Sequence, residues 1–436
     1  MNIGKPTYKE AFLFWLKLGF ISFGGPAGQI AIMRDFLVDK KKWISNSKFL
    51  HALNYCFLLP GPEAQQLAIY SGWLLHGIKG GLTAGILFVL PSVFVLLGLS
   101  ITYAVFGKLS WVYAIFDGLK PAVVAIVITA LLKITKKSLS HFIHYLIAIA
   151  SFIAIFIFNI NYPYIIIGAI AIGFIIERYY PKLFIHTENL KKNEDETDFF
   201  INANSLIPNI GFNLKRLIRE VIIFLICWAF PILLFYLYAK DFIFWKTLTL
   251  FFTSAAFFTF GGAYAVLPFV AQVSVEKLNW LSKQQMIDGF ALGETTPGPL
   301  IMVLAFVGFM GGFNYFHGSV LNGTIGLITT TYYTFLPCFL FVLAGAPIIE
   351  KTQTNPKLQV VLGIVTAAVV GVILNLTVYF GKAVIFPQVL SLGQIDYSSL
   401  IWIVVSFVAL YKFKANMLFW IGISSLYGFV HQFLLK

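Results

Sequence analysis

Long apolar runs separated by short polar loops dominate this sequence and leave few folds open to it. Clear examples lie at 82–104, 147–158, 165–176, 221–238 and 400–410. Segments of roughly 18 or more apolar residues with few charges are typical of transmembrane helices. Only 11% of the residues are charged, whereas about a quarter are charged in an ordinary soluble domain. The sequence therefore predicts a polytopic, all-α membrane protein that lies in a lipid bilayer.

The positive charge of the chain fits this class better than it fits nucleic-acid binding. The net charge is +13, but Lys and Arg concentrate in short loops, at 34–48, 133–137 and 182–219. Basic loops of this kind mark the cytoplasmic side of membrane proteins. The three cysteines, Cys56, Cys227 and Cys338, lie in apolar stretches without disulfide or metal spacing. We expect no nucleic-acid partner, no metal and no cofactor.

The chain contains two similar halves. "FISFGGPAGQIAIM" begins at Phe20, and "FFTFGGAYAVLPFV" begins at Phe257, 237 positions later. The same offset pairs Trp43 with Trp280, and it pairs the motif Pro60-Gly61-Pro62 with Pro297-Gly298-Pro299. Further along, the offset drifts to 245, where Gly118 pairs with Gly363. Landmarks in one register indicate an internal duplication.

The duplication predicts the domain organisation. Residues 1–180 form an N-terminal repeat, 181–213 a polar cytoplasmic linker, 214–239 a linking transmembrane helix, and 245–436 a C-terminal repeat. Each repeat offers about six helical segments. An odd helix between them inverts the second repeat relative to the first, and inverted repeats are characteristic of secondary transporters. The predicted fold is two inverted helical repeats plus the linking helix, with broken or re-entrant helices at the Pro-Gly-Pro motifs.

One basic loop conflicts with the simplest topology. If every segment crosses the membrane, the loop 34–48 lies outside while the other basic loops lie inside. The arms on either side of Pro60-Gly61-Pro62, residues 48–59 and 63–76, are short for a span. They are typical of a re-entrant hairpin, which would remove the conflict. The sequence leaves both topologies open.

Helix breaks in both repeats predict the substrate site. Gly accepts backbone angles that other residues resist, and Pro suits the first turn of a new helix. Broken backbone at membrane depth survives only where it is buried in protein or lines a wet cavity. New helices also present N–H groups and a positive dipole end, which favour anions. We therefore predict substrate binding by Gly24, Gly25, Pro26, Pro60, Gly61, Pro62, Gln65, Gly261, Gly262, Thr296, Pro297, Gly298 and Pro299. A single break would be read as a structural kink, whereas paired breaks favour a site.

Two acidic residues flank the Pro-Gly-Pro motifs. Glu63 directly follows the first motif, and Glu294 precedes the second by three residues. Ionisable residues inside a membrane are costly and usually functional. We predict that Glu63 and Glu294 couple transport to protons. The alternative for Glu63 is a structural charge that stabilises a helix N-terminus.

Several other polar residues have simpler explanations. Lys17, Arg34, Lys120 and Lys133 are candidate partners for an anion. Lys120 lies three residues after Asp117, so a local ion pair is favoured there. His51 and His76 favour structural or interfacial roles.

Motifs of ATP-driven pumps and of common hydrolases are absent. The sequence contains no G-x-x-x-x-G-K-[ST] loop, no H-E-x-x-H and no G-x-S-x-G. We expect neither an ATPase nor an enzyme, and we predict no catalytic residues.

These residues resemble the chromate ion transporters in their long two-domain form. The likeness rests on "GFISFGGPAGQIAIM", "KKWISNSKFLHALNYCFLLPGPEAQQLAIYSGW", "KGGLTAGILFVLPS", "GLKPAVVAIV", "FFTFGGAYAVLPFV" and "ALGETTPGPLIMVLAFVGF". It covers nearly the whole chain except the linker. The twice-repeated order of Phe-Gly-Gly, Trp and Pro-Gly-Pro is specific, although each piece alone is not. Ala263 stands where strict repeat symmetry would place a proline.

The resemblance implies a multi-pass secondary transporter of the inner, or plasma, membrane that works by alternating access. It implies efflux of chromate, coupled to the proton gradient or the membrane potential, with sulfate as a related oxyanion. A transporter or exchanger of another small anion is the main alternative, and an anion channel is a further one. A homodimer remains open as the assembly.

Overall fold

The computed structural model describes residues 6–23, 25–107, 109–179, 198–202, 205, 211–350, 356–386 and 395–435. These residues form helices and, apart from one bridge between Ile44 and Ile201, no strand pairing. Most of the predicted linker, 181–213, lies outside the described residues. The helices are α1 (Tyr8–Ile21), α2 (Gly25–Arg34), α3 (Asn46–Leu58), α4 (Glu63–Phe106), α5 (Ser110–Ser138), α6 (Phe142–Phe156), α7 (Tyr162–Tyr179), α8 (Leu214–Tyr238), α9 (Phe242–Phe257), α10 (Ala263–Gln272), α11 (Lys283–Thr295), α12 (Val303–Tyr315), α13 (Val320–Ile349), α14 (Pro356–Ile385), α15 (Tyr397–Phe407) and α16 (Met417–Val430).

Six of the described helices are long and apolar enough to cross a membrane. They are α4, α5, α7, α8, α13 and α14. Many large apolar side chains on their outer surfaces are exposed, among them Phe94, Phe174 and Tyr236. Helix α8 has no buried residue and lies against α13, where Tyr332 and Tyr333 donate hydrogen bonds to carbonyls of Cys227 and Trp228. The surface is that of a multi-pass membrane protein, as the sequence predicts.

The first repeat begins with two hairpins that enter and leave on one face. Beyond the break after α1, helix α2 turns back, so that the ring of Phe36 stacks on Phe14 at 3.8 Å. The second hairpin consists of α3 and the start of α4, joined by Pro60-Gly61-Pro62. Lys48, at the start of α3, and Tyr70, on the returning arm, both bond to the carboxylate of Glu350. The two arms are therefore antiparallel and end at the same level.

The second repeat reproduces these two hairpins. Trp280, which follows α10, packs against Phe244 at the start of α9, with ring centroids 5.7 Å apart. Asn314, near the end of α12, donates a 2.8 Å hydrogen bond to the Trp280 carbonyl just before α11 begins. The returning arms also share backbone details, because Lys42 and Asn279, 237 positions apart, both adopt φ near +50°. All four hairpins thus re-enter, which decides the topology that the sequence left open.

Re-entry removes the conflict between the basic loops. The 34–48 loop contacts the described end of the linker, because Ser45 N–H donates to the Ile201 carbonyl at 2.8 Å. Glu350, which binds Lys48, immediately precedes the segment leading to α14, and Gly363 near the start of α14 lies against His144. These contacts place the loops 34–48 and 133–144 and the described linker residues 198–202 on one side, here called the basic face. The positive-inside rule predicts that this is the cytoplasmic face.

Helices of each repeat pack against helices of the other repeat. Helix α5 of the first repeat packs against α15 and α16 of the second, with Gly118 close to Gly428. Reciprocally, α14 of the second repeat packs against α6 and α7 of the first, with Gly371 against the backbone at Ala148. Glycines at these crossings let the helices approach closely. The reciprocal packing is what a pseudo-two-fold axis between inverted repeats produces, and it places the four hairpins at the centre.

Candidate functional site

The two Pro-Gly-Pro loops each complete the helix break of the other repeat. Gly61 N–H donates to the Thr259 carbonyl at 2.7 Å, and Gly298 N–H donates to the Ser22 carbonyl at 2.7 Å. Ser22 and Thr259 occupy matching positions just before the glycine pairs, and Gly61 matches Gly298. The two bonds are therefore one contact made twice across the pseudo-two-fold axis.

Buried side chains satisfy more of the exposed backbone at these loops. Gln29 donates through Nε2 to the Gly298 carbonyl at 2.6 Å, and Gln66 donates to the Pro60 carbonyl at 2.7 Å. Ser92 Oγ donates to the Pro297 carbonyl. Its counterpart in the second repeat, Cys338, packs beside Gly61. Unpaired carbonyls are costly in a bilayer, so these side chains stabilise the breaks.

Glycine is required at several of these positions because φ is positive. Gly61 has φ +123°, Gly262 +92° and Gly298 +99°. Other residues rarely adopt this backbone conformation, and a substitution there is strained. Gly25 and Gly261 also have positive φ. Gly24, predicted as part of the site, lies outside the described residues.

A cavity of about 850 Å³ lies between the repeats and reaches the basic face. Its deep part is lined by equivalent residues of both repeats, since Gly25, Pro26 and Ala27 match Gly262, Ala263 and Tyr264 at the offset of 237. The lining comprises Gly25, Pro26, Ala27, Ile30, Asn54, Phe57, Leu58, Glu63, Ile126, Thr129, Ala130, Lys133, Ile134, Lys137, Ser138, Ser140, His141, His144, Gly261, Gly262, Ala263, Tyr264, Glu294, Val360, Leu362, Gly363, Thr366, Leu410, Ala415 and Met417. These equivalent residues place the deep part of the cavity at the pseudo-two-fold axis.

Both predicted carboxylates line this cavity. Glu63 and Glu294 are buried, with 7% and 4% of their surfaces exposed. Tyr264 donates a 2.7 Å hydrogen bond to Glu294 Oε1. Glu63 lies against Gly262, where an added Cβ would be 2.9 Å from Oε1. Among the described residues, no group hydrogen-bonds to Glu63 Oε2. The sequence motifs identified both acids but not Tyr264, because Tyr264 lies within the apolar stretch that forms α10.

Three helices begin at the cavity wall. Helix α2 begins at Gly25, α4 at Glu63 and α10 at Ala263. Their first N–H groups and positive dipole ends create a region that favours negative charge. Glu63 is itself the first residue of α4, so its structural interpretation as a helix N-terminal charge stays open.

The other predicted residues lie behind the wall rather than on it. Pro60, Gly61, Pro62, Thr296, Pro297, Gly298 and Pro299 are not among the lining residues and instead form the crossing of the repeats. Thr296 donates its hydroxyl to the Leu292 carbonyl at 2.6 Å. Gln65 is fully buried, and neither polar atom of its side chain has a hydrogen-bond partner in the described part of the chain.

Basic side chains surround the mouth of the cavity. Lys133 and Lys137 are exposed and line it, and Lys137 Nζ lies 4.7 Å from the ring centroid of Phe57. His141 and the buried His144 line the cavity next to them. Of these, the sequence singled out only Lys133 as an anion partner, because the side of α5 that borders the cavity cannot be read from the sequence.

Three of the remaining polar candidates have structural partners away from the cavity. Lys120 pairs with Asp117 at 3.2 Å, so the local ion pair favoured from the sequence is confirmed. His76 bonds to the Pro6 carbonyl at 2.9 Å, and Arg34 donates to Asn46 at 3.3 Å. Lys17 does not line the cavity. Within the described ranges, no cluster of three or more His, Cys, Asp or Glu residues could hold a metal ion.

Inverted repeats, crossed helix breaks and a one-sided cavity are together typical of membrane transporters. The family model for the chromate transporter matches residues 9–174 and again 246–429. The chain therefore belongs to the chromate transporter family. The two matches fall on the two repeats, and they support transport rather than catalysis.

Three relatives match across most of their length. A probable chromate transport protein of Synechococcus elongatus is 28% identical over 380 residues, which are 86% of this chain and 86% of the relative. An uncharacterized transporter of Methanocaldococcus jannaschii is 29% identical over 431 residues, 98% of this chain and 94% of the relative. The chromate transport protein of Cupriavidus metallidurans is 28% identical over 383 residues, 86% of this chain and 84% of the relative. No solved structure matches the chain.

Proposed function

We propose that this protein is a secondary active transporter that moves chromate, and sulfate as a related oxyanion, across the plasma membrane by alternating access. Its physiological direction is chromate efflux, coupled to the proton gradient or the membrane potential. The supporting observation is the cavity itself. It opens on the cytoplasmic face, and its deep part is lined by both repeats, so the same residues can serve a state open to the other side.

The chemistry of the wall suits a tetrahedral dianion. Three helix N-termini supply N–H donors and positive dipole ends near Gly25, Glu63 and Ala263. Lys133 and Lys137 raise the local concentration of anions at the mouth. Neither feature depends on the identity of the central atom, so chromate and sulfate are both accommodated.

The two carboxylates link anion binding to protons. An ionised Glu63 or Glu294 beside a dianion is repulsive, and the repulsion is strong where water is scarce. When either acid takes up a proton, the repulsion between that acid and the anion disappears. We infer that proton loading changes the affinity of the cavity for the anion, which is the linkage that a coupled transporter needs.

Flux in proteoliposomes tests this proposal. The purified protein is reconstituted, and labelled chromate or sulfate is followed under an imposed pH gradient and, separately, an imposed membrane potential. We expect accumulation against the anion gradient, lost on adding a protonophore. Dissipation of the gradient without accumulation would instead indicate a channel. If neither anion moves nor competes, the substrate assignment is wrong.

Two neutral variants test the coupling role. Glu63→Gln and Glu294→Gln keep the shape of the side chains but cannot release a proton, so we expect anion flux that no longer responds to the pH gradient. Glu220→Gln, on the outer helix α8, serves as the matched control and should behave as wild type. A Glu63→Gln protein with normal proton-dependent transport would remove Glu63 from the mechanism.

A further inference from the structure

A second, smaller cavity lies on the face opposite the basic face. Its volume is about 160 Å³. Lys277, at the end of the π turn that follows α10, bonds there to Asn161 in the turn between α6 and α7 at 2.7 Å. The lining comprises Ile155, Phe156, Asn159, Pro268, Gln272, Glu276, Asn375, Leu376, Val378, Tyr379 and Lys382. Nothing in the transport site described above includes these residues.

The internal repeat relates this cavity to the mouth of the large one. At the offset of 245, Asn375, Tyr379 and Lys382 of α14 match Ala130, Ile134 and Lys137 of α5. All three of these α5 residues line the large cavity. Val378 and Lys133 form a fourth matching pair of lining residues. Equivalent faces of α5 and α14 therefore border the large cavity and the small cavity, respectively.

The other walls match as well. The small cavity is closed by the turn between α6 and α7, at Phe156 and Asn159, and the large cavity is bordered by the turn between α15 and α16, at Ala415 and Met417. The turn between α6 and α7 belongs to the helix pair that packs against α14 of the other repeat, and the turn between α15 and α16 belongs to the pair that packs against α5. The third wall is the returning arm of a glycine-pair hairpin, α10 in one case and α2 in the other. Three equivalent elements enclose each cavity.

The two cavities differ in how far their walls are drawn together. On the basic face the walls stand apart around about 850 Å³, and on the opposite face they enclose about 160 Å³. Across the small cavity, Lys382 Nζ lies 4.7 Å from the ring centroid of Phe156. A molecule with an inverted repeat can exchange the two arrangements by giving each half the conformation of the other.

We propose that the small cavity is the closed external vestibule of the transport path, and that Lys382 is its oxyanion-positioning residue, as Lys137 is on the cytoplasmic face. This inference rests on the proposed transport function. In the outward-open state the vestibule widens while the cytoplasmic mouth contracts. Its ligand is the same class of tetrahedral dianion that the central site binds.

Reciprocal thiol labelling tests the pairing of the two cavities without any substrate. In a background that lacks Cys56, Cys227 and Cys338, Asn375→Cys should react with a membrane-impermeant maleimide only from the external side. Ala130→Cys should react only from the cytoplasmic side. In the double variant, prior reaction at position 130 with a bulky maleimide should slow labelling at 375 at least tenfold, because it holds the cytoplasmic mouth open.

The external control is Lys246→Cys, an exposed position at the start of α9 on the same face. Its labelling should not change when position 130 has reacted. Labelling of Asn375→Cys from the cytoplasmic side, or labelling that ignores the modification at 130, would overturn the proposal.

Sided kinetics test the role of the lysine. Lys382→Gln should raise the KM for anion supplied at the external side about three- to tenfold and leave the KM at the cytoplasmic side unchanged. Lys137→Gln should do the reverse. Equal effects of Lys382→Gln on both sides would contradict a positioning role in the vestibule. Reciprocal labelling without chromate or sulfate flux would refute the proposed substrate but support the external vestibule. Flux without reciprocal labelling would support the substrate but refute the vestibule.

Discussion

The contact between Gly262 and Glu63 allows the role of the carboxylate to be tested without altering it. Gly262 has φ +92° and ψ 178°, a conformation that alanine adopts only under strain. The strain costs about 1–3 kcal/mol. In addition, the new Cβ would lie 2.9 Å from Glu63 Oε1, so the carboxylate must move by about 0.5 Å to regain an ordinary contact.

A glycine of similar backbone conformation outside the cavity lining provides the control. Gly77, at the kink of α4, has φ +63° and ψ −154°, and an added Cβ there meets nothing within 4 Å in the described structure. Gly77→Ala therefore carries the backbone strain without displacing a carboxylate. We expect both variants to lower the melting temperature in detergent by similar amounts. We expect only Gly262→Ala to lower the proton-coupled rate severely, by about tenfold or more, since a shift of this size misplaces a group that must meet the anion.

Combination with a shorter acid completes the test. Glu63→Asp retracts the carboxylate, so the double variant with Gly262→Ala should recover more of the coupled rate than the product of the two single losses allows. Coupled rates are measured in proteoliposomes, and unfolding is measured on the same preparations. If Gly77→Ala and Gly262→Ala reduce transport equally, strain alone explains the loss, and the proposed role of Glu63 is refuted.

Three further variants address the framework. In Gly298→Ala the new methyl group would overlap Ser92 Oγ, so we expect a marked loss of thermal stability that Ser92→Ala partly restores; no restoration would show that the backbone strain at φ +99° dominates. Glu350→Gln leaves the Lys48 ammonium, only 12% exposed, without its counter-charge; we expect destabilisation of about 3 kcal/mol, with partial recovery in the double variant with Lys48→Met, and an unchanged melting temperature would contradict the buried pair. Lys133→Gln should raise the cytoplasmic KM about two- to fivefold at low ionic strength and less at high salt, and an effect independent of salt would exclude electrostatic attraction.

The sequence predicted the elements whose signal is local or repeated. The glycine pairs and the Pro-Gly-Pro motifs announce helix breaks by themselves, and their common offset identified the duplication. Composition alone identified the membrane class. Re-entry of the hairpins could be argued only as an alternative, because arm length and loop charge indicate it without fixing it.

The sequence could not predict contacts that depend on how helices pair across the repeats. The packing of α5 on α16, which brings Gly118 to Gly428, joins residues far apart in the chain. Tyr264 and Glu294 meet because the start of α10 lies near the end of α11, a contact between two separate hairpins. From the sequence, Lys137 is one of several basic residues in a loop. The structure shows that it lies on the face of α5 that lines the large cavity.

The crossed bonds between Gly61 and Thr259, and between Gly298 and Ser22, also bear on how the protein is made. When the first Pro-Gly-Pro loop has entered the bilayer, its acceptor has not yet been synthesised. About 200 residues must still be translated, which takes on the order of 10–40 s at common ribosome speeds. An unpaired N–H in hydrocarbon is costly, so the nascent first repeat cannot settle into its final depth alone. The first repeat must therefore stay hydrated or bound to a chaperone until the second repeat has been synthesised. A chain truncated before residue 259 should be a substrate for membrane quality control.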